Sequence, residues 1–287
     1  MRGCIRIVVR ALGALAVCAF ILAGLVVYFG WYDVSATRPH TPPIHRLLDI
    51  ALARSVAVRA DQIQVPPLDA ETRIQNGFEL FRAHCVQCHG APGTAPAPYA
   101  LGLNPAPASL VASARDRPAA EIYWIVREGI KMTGMPAWKY RLTDTQMWDV
   151  VAFMRVLPAL SPVAYRQWDE KPARLSPRAA SQDPTATGDS RIGDVTAGRQ
   201  AVEQYLCATC HVIPDVVGAS HHVGPPLAGI AQRPFIAGVL SNNPENMRLW
   251  LMAPTTIKPG TAMPDLGISG QDARDIAAFL TTLSESP

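Results

Sequence analysis

The sequence is poor in charge and in cysteine, and it has only one long uncharged apolar run. Charged residues make up 17% of the 287 positions, and there are six cysteines. The net charge of +3 comes from Arg2, Arg6 and Arg10, because the other 23 basic residues equal the 23 acidic ones. This balance excludes a broad basic surface that would bind nucleic acid, and it excludes a polybasic segment that would bind lipid headgroups. No alternating strand pattern occurs, so the folded parts are predicted to be all-α.

The one apolar run, residues 11–29, is long enough to span a bilayer. The three arginines precede it, while Trp31 and Tyr32 follow, as expected for an N-terminus on the inside. The letters VSA ending at Ala36 resemble a signal-peptidase site, but signal apolar regions usually have about 7–15 residues. The length favours an uncleaved anchor over residues 1–32, with the remainder outside in an oxidising compartment.

Two folded units of about 88 residues follow the anchor, joined by proline-rich segments. Units of this size have marginal apolar cores, and a large buried prosthetic group would help them. The predicted segments are a spacer (33–70), unit one (71–157), a Pro-rich linker (158–195) and unit two (196–287). An amphipathic helix is predicted in the spacer, packing on unit one through Ile44, Leu47, Leu48, Ala51 and Leu52.

The two units repeat one order of motifs. Each opens with a helix that runs into C-x-x-C-H, followed by a Pro-rich loop, a Met-Pro pair and a closing helix with D-x-x-A-F. The closing helices start at predicted capping boxes, Thr143 with Gln146 and Ser269 with Asp272.

The C-x-x-C-H motif has three interpretations. A redox thiol pair would follow a strand, and none is predicted here. A structural zinc site needs four ligands, and unit one offers only the local set from His84 to His89. The third interpretation, c-type haem attachment, is the specific meaning of the pentapeptide. Two copies behind an export segment favour it, with thioethers and iron ligands at Cys85, Cys88, His89, Cys207, Cys210 and His211.

Met135 and Met263 are predicted as the second iron ligands. They follow the motif histidines by 46 and 52 residues, each in a loop before the closing helix. The following proline restricts the Met backbone and donates no hydrogen bond. His/Met iron has no open position for substrate, which favours electron transfer over catalysis. The rivals are Met132 in unit one and bis-His ligation by His84, His221 or His222.

With these motifs in order, residues 70–283 resemble tandem class I c-type cytochromes, as in membrane-anchored dihaem members. The resemblance implies two covalently bound haem c groups. It also implies a proline carbonyl, in a G-P-x-L loop, that orients the ligating histidine. GPPL matches this loop and indicates Pro225, whereas unit one departs from it and leaves Pro105 or Pro107. Trp138 and Trp250 are placed either for haem stacking or for ordinary core packing.

The resemblance implies an electron carrier and not an enzyme, relaying single electrons in a respiratory chain of a bacterial inner membrane. The haem units would lie in the periplasm, with a terminal oxidase, a quinol-oxidising complex or a dehydrogenase as partner. The alternative is a dihaem enzyme such as a cytochrome c peroxidase. A Cys-ligated catalytic haem is excluded, because the spare cysteines Cys4 and Cys18 lie before or inside the anchor.

Overall fold

A 27-residue apolar helix, α1 (Arg2–Tyr28), begins the chain and buries none of its residues. Its best 18-residue window has a mean hydropathy of 2.5, and by length and composition it could cross a membrane. The computed structural model describes residues 2–170 and 192–284. A second helix, α2 (Pro42–Ala60), connects α1 to the folded units.

Both folded units are built mainly from helices, as predicted. Unit one contains the helices Glu71–His84, Val86–His89, Leu110–Asp116, Ala119–Glu128, Asp144–Val156 and Pro162–Asp169, with 3₁₀ turns at Pro98–Gly102, Trp138–Tyr140 and Leu157–Ala159. Unit two contains the helices Val195–Gln204, Pro244–Met252, Pro254–Ile257 and Gly270–Leu280, with 3₁₀ turns at Cys207–Thr209 and Ile230–Gln232. The difference from the all-α prediction is one small antiparallel pair, Phe235–Ile236 with Leu240–Ser241.

The opening and closing helices of each unit cross at a glycine. A Cβ built on Gly77 would overlap the Asp149 carbonyl and lie 3.0 Å from the Phe153 Cβ. A Cβ on Gly198 would meet Asp275 and the Phe279 Cβ in the same way. The missing side chain therefore lets the two helix backbones touch, and this contact fixes the frame of the attachment motifs.

The aligned aspartates of the closing helices are buried but paired differently. Asp149 faces the Arg73 guanidinium at 3.2 Å. Burial nevertheless raises the pKa of Asp149, since removal from water outweighs the attraction of Arg73. In unit two, the Asp275 carboxylate accepts the backbone N–H of Asp194 at 2.8 Å. Each aspartate thus ties the closing helix to the start of its own unit.

The predicted linker includes residues that belong to unit one. Pro162–Asp169 is helical, and Tyr165 is only 1% exposed, packed with Phe78 and Phe153. The prolines suggested a linker, but Pro162 stands in the first turn of this helix, where its missing N–H costs nothing. Residues 171–191 of the predicted linker lie outside the described residues, and its last residue, Val195, begins the first helix of unit two.

The prediction for the spacer helix is right about the helix and wrong about most of its packing face. Leu47 and Leu48 are 66% and 43% exposed, whereas Val56 and Ala60 are buried. Leu47 and Leu48 lie in the first half of α2 and the two buried residues in its second half, and α2 packs against the helix Ala119–Glu128. The buried stripe is therefore made by later residues than the predicted one.

The first predicted capping box is confirmed. Thr143 accepts from the Gln146 N–H, and the Gln146 side chain accepts from the Thr143 N–H. In unit two, Ser269 accepts from the Asp272 N–H, but the Asp272 carboxylate accepts from side-chain hydroxyls instead of returning to the backbone.

Candidate haem sites

In unit one, a single helical turn presents both thiols and the imidazole. The opening helix ends at His84. The N–H of the next residue, Cys85, donates to Phe81 O at 2.8 Å, and the His89 N–H donates to Cys85 O at 3.0 Å. Cys85 packs against the cores on both sides of it. Burial raises the pKa of its thiol to about 12, with a smaller contribution from the nearby Cys88.

Unit two forms its attachment turn in a slightly different way. Leu206 adopts a left-handed conformation, with φ of 58°, and Cys207–Thr209 then forms a 3₁₀ turn. The His211 N–H donates to Cys207 O at 3.0 Å, the same hydrogen bond as in unit one. Burial raises the pKa of the Cys207 thiol to about 11. The two motifs therefore place equivalent donors on equivalent turns.

The ring of each motif histidine is held by one backbone carbonyl. His211 Nδ1 lies 2.7 Å from Pro225 O, and His89 Nδ1 lies 2.8 Å from Ala108 O. An Nδ1–H donated to a carbonyl fixes the neutral tautomer and leaves Nε2 available for a metal. In unit one, the carbonyl is that of Ala108, instead of the expected Pro105 or Pro107, because the loop there runs further before it returns.

Gly224 packs directly on the face of the His211 ring. A Cβ at this position would lie 2.7 Å from Nδ1 and 2.9 Å from Nε2, well inside van der Waals contact. The Gly224 N–H also donates to Cys210 O at 2.7 Å, which closes the loop on the attachment turn. In the sequence this glycine is visible only as part of the G-P-x-L motif, and no local signal predicts its contact with the ring.

Both Met-Pro loops are held by a threonine two residues before the methionine. Thr133 Oγ1 accepts from the Met135 N–H at 3.0 Å and donates to Ile130 O at 2.8 Å. Thr261 Oγ1 accepts from the Met263 N–H at 3.3 Å. The shared T-x-M pattern was visible in the sequence, but its meaning depends on this loop conformation.

The structure brings Met135 and Met263 to the cores that hold the attachment cysteines. Met135 and Cys85 border one core cluster in unit one, and Met263 and Cys207 border the core of unit two. Met132, the rival in unit one, is 81% exposed.

The rival histidines and the two tryptophans have distinct surroundings. His221 and His222 are exposed. The His84 ring lies 5.0 Å from the Trp138 ring, and burial lowers the pKa of His84. Trp138 borders the core beside Cys85, whereas Trp250 is buried within the core of unit two. Trp250 therefore acts in core packing.

The residues present fit a covalently bound haem. Each unit offers two thiols on one turn, an imidazole with a fixed tautomer and a thioether sulfur on a restrained loop, which is the donor set of a His/Met cytochrome. Within the described ranges, no three or more His, Cys, Asp or Glu side chains are grouped to hold a metal ion.

The two units meet between the segment after the first Met-Pro loop and the residues before the second attachment turn. The Tyr205 hydroxyl lies 3.1 Å from Tyr140 O and 2.8 Å from Asp272 Oδ2. The Arg141 guanidinium lies 5.5 Å from the centre of the Tyr205 ring and donates to Gln204 O at 3.3 Å. This contact joins the two candidate sites through a few residues.

Comparisons with known proteins match each unit separately. Residues 72–154 match the family described as "Cytochrome C oxidase, cbb3-type, subunit III", and residues 195–284 match the family "Cytochrome c". The two matches lie in tandem on the chain.

Among curated proteins, the chain is similar to cytochrome c oxidase subunit 2 of Alkalihalophilus pseudofirmus, at 34% identity over 87 residues, or 30% of this chain and 25% of that protein. Cytochrome c oxidase subunit 2 of Bacillus sp. (strain PS3) is 36% identical over 66 residues, or 22% of this chain and 18% of that protein. The chain thus spans a quarter or less of the length of these relatives.

Among solved structures, a chain of the reducing HAO-like protein complex of Kuenenia stuttgartiensis is 20% identical, with a TM-score of 0.27. The match covers 78% of this chain and 100% of that one, and at this score it carries no functional argument.

Proposed function

We propose that this chain, which carries two tandem cytochrome c domains, is a membrane-anchored dihaem carrier of single electrons. Cytochrome c domains imply covalently bound haem c and electron transfer. The observation that supports two haems is the repetition of the whole site: attachment turn, carbonyl-held histidine and threonine-held Met-Pro loop. When bound, haem supplies a one-electron iron couple.

The protein residues in each unit have separate tasks in this proposal. Cys85 and Cys88 hold the group through thioethers, and His89 provides an imidazole whose Nδ1–H is already engaged by Ala108 O. Met135, in a loop restrained by Thr133, would provide the second protein ligand. Because the His89 ring and the Met135 backbone are already held by hydrogen bonds, little rearrangement would accompany a change of charge on a bound haem.

Cys207, Cys210, His211 and Met263 take the same roles in unit two, with the Pro225 carbonyl orienting His211. In this proposal His211 and Met263 would both hold the iron, which would leave the chain no free ligand position for a substrate. This ligand set supports a carrier in preference to a peroxidase.

The proposed setting is a respiratory chain at a bacterial inner membrane. Three arginines before the apolar part of α1 favour an inside N-terminus, which would place both domains in the periplasm. The named relatives are oxidase subunits, so a terminal oxidase is a proposed partner, beside a quinol-oxidising complex or a periplasmic dehydrogenase.

The test uses the full chain purified from membranes. We expect two haems per polypeptide and, in the oxidised protein, the far-red absorption of sulfur-to-iron charge transfer. Met135→His and Met263→His should each remove the part of this absorption band that comes from one haem, while Met132→Leu should leave the band unchanged. Rapid binding of carbon monoxide to the reduced wild type, together with peroxide turnover, would contradict the carrier proposal and favour a dihaem peroxidase.

A further inference from the structure

Helix α2 has apolar residues on two opposite faces. The face formed by Leu52, Val56 and Ala60 packs on unit one. Along the other side, at helical spacings of three and four, an outer face is formed by Leu47, Ile50, Ala51, Arg54 and Val58, all exposed. Leu47 and Val58 are each 66% exposed and Ile50 is 54% exposed, which is a large apolar area for a helix that is already packed on its other side.

The connection between α1 and α2 is a closed loop and not an extended spacer. The Tyr32 hydroxyl lies 2.6 Å from His40 Nδ1, with the two rings stacked at 6.2 Å. Tyr32 is four residues past the end of α1, and His40 is two residues before α2 begins. Asn104 of unit one donates to Ala36 O and Arg38 O at 3.2 and 2.8 Å, which fixes the loop on that unit.

This closed loop holds α2 close to the end of the proposed anchor. Around that end, Tyr28, Phe29 and Trp31 are exposed, and aromatic residues favour the headgroup level of a bilayer. Arg54 lies within the outer face and makes no ion pair with any described residue. An apolar face with an arginine whose head reaches lipid phosphate is typical of an interfacial helix.

We propose that the outer face of α2 lies in the lipid–water interface and holds unit one against the bilayer. The occupant of this face is lipid: acyl chains beside Leu47, Ile50 and Val58, and headgroup phosphate at Arg54. The inference rests on the proposed anchoring by α1, and it assigns unit one as the domain next to the membrane.

The test measures, residue by residue, how fast an introduced cysteine and the native Cys18 are alkylated by a charged, membrane-impermeant maleimide. Ala51→Cys places a thiol on the outer face, and Ala53→Cys is the matched control, exposed on another side of the same helix. Both are made in the full holoprotein, with Cys4→Ser, in vesicles of zwitterionic and anionic phospholipid. Rates are normalised to those of the urea-denatured protein. We expect Cys at 51 to react about tenfold more slowly than Cys at 53, equivalent to about 1.4 kcal/mol. A second variant, Ile50→Ser combined with Ala51→Cys, should recover much of the lost rate.

The native Cys18 within α1 separates failure of this inference from failure of the anchor. If Cys18 is protected and positions 51 and 53 react equally fast, the anchor stands and the docked face is refuted. Reactive Cys18 would show that α1 does not span the bilayer, which removes the basis of the inference as well. Protection of position 51 that arises only after native membrane proteins are added also refutes lipid as the occupant and assigns the face to a protein.

Discussion

Replacement of Gly224 by alanine should disturb the second haem site without replacing a ligand residue. The new Cβ would stand 2.7 Å from His211 Nδ1, whereas ordinary contact begins at 3.4 Å. The His211 Cε1 atom would be closer still, so the ring must withdraw by about 1 Å. The same movement stretches the 2.7 Å hydrogen bond to Pro225 O to the edge of hydrogen-bonding distance.

The energetic effect follows from the role of that hydrogen bond. Loss of such a partner typically costs a histidine ligand about 10–100-fold in metal affinity, or about 1.4–2.7 kcal/mol. The hydrogen bond makes the imidazole more basic and so favours the more positively charged, oxidised iron. We therefore expect the reduction potential of unit two to rise, by about 60 mV for each tenfold difference between the two oxidation states.

The assay is a spectroscopic redox titration of the full chain, with the wave of unit two identified by its change in Met263→His. Gly270→Ala is the control, because a Cβ there meets nothing within 4 Å. The wave of unit one should not move in either variant. If the reduction potential and far-red absorption of unit two are the same in Gly224→Ala and Gly270→Ala, the packing of Gly224 on His211 does not determine the properties of this site.

Three further predictions concern the frame of unit two. Gly198→Ala should lower the free energy of unfolding by about 1–3 kcal/mol or more in a denaturant titration, because its Cβ overlaps Asp275; a midpoint equal to that of Gly270→Ala would contradict the close helix crossing. Burial raises the pKa of Asp272 above its unfolded value, so ionisation costs stability as pH rises through the folded pKa. The free energy of unfolding of wild type relative to Asp272→Asn should therefore fall from acid to neutral pH. A difference that does not change with pH would refute the raised pKa of Asp272. Tyr205→Phe removes a hydroxyl shared with Asp272 and the Tyr140 carbonyl and should cost about 1–2 kcal/mol, more than Tyr140→Phe, which loses only a 3.4 Å contact; equal losses would argue against this junction.

Two features of the tertiary structure change the interpretation of local sequence patterns. Proline at 162 suggested a linker, yet it starts a helix whose Tyr165 completes the core of unit one. The apolar residues of α2 suggested a single packing stripe, although they form two faces. A one-dimensional pattern cannot tell which face meets a neighbour, since that depends on how far unit one extends along the helix.

The sequence by itself predicted the attachment chemistry, because the two cysteines and the histidine of C-x-x-C-H lie within five consecutive residues. It also determined the repeat, the helical fold and the apolar helix at the start, all of which are local patterns. Only the tertiary structure decided that Ala108 supplies the carbonyl facing His89, that Gly224 lies on the His211 ring and that Tyr205 joins the two units. These contacts join residues that are distant along the chain or that meet only in a particular loop conformation. Which of them meet is therefore decided by the packing of the helices and by the paths of the loops between them.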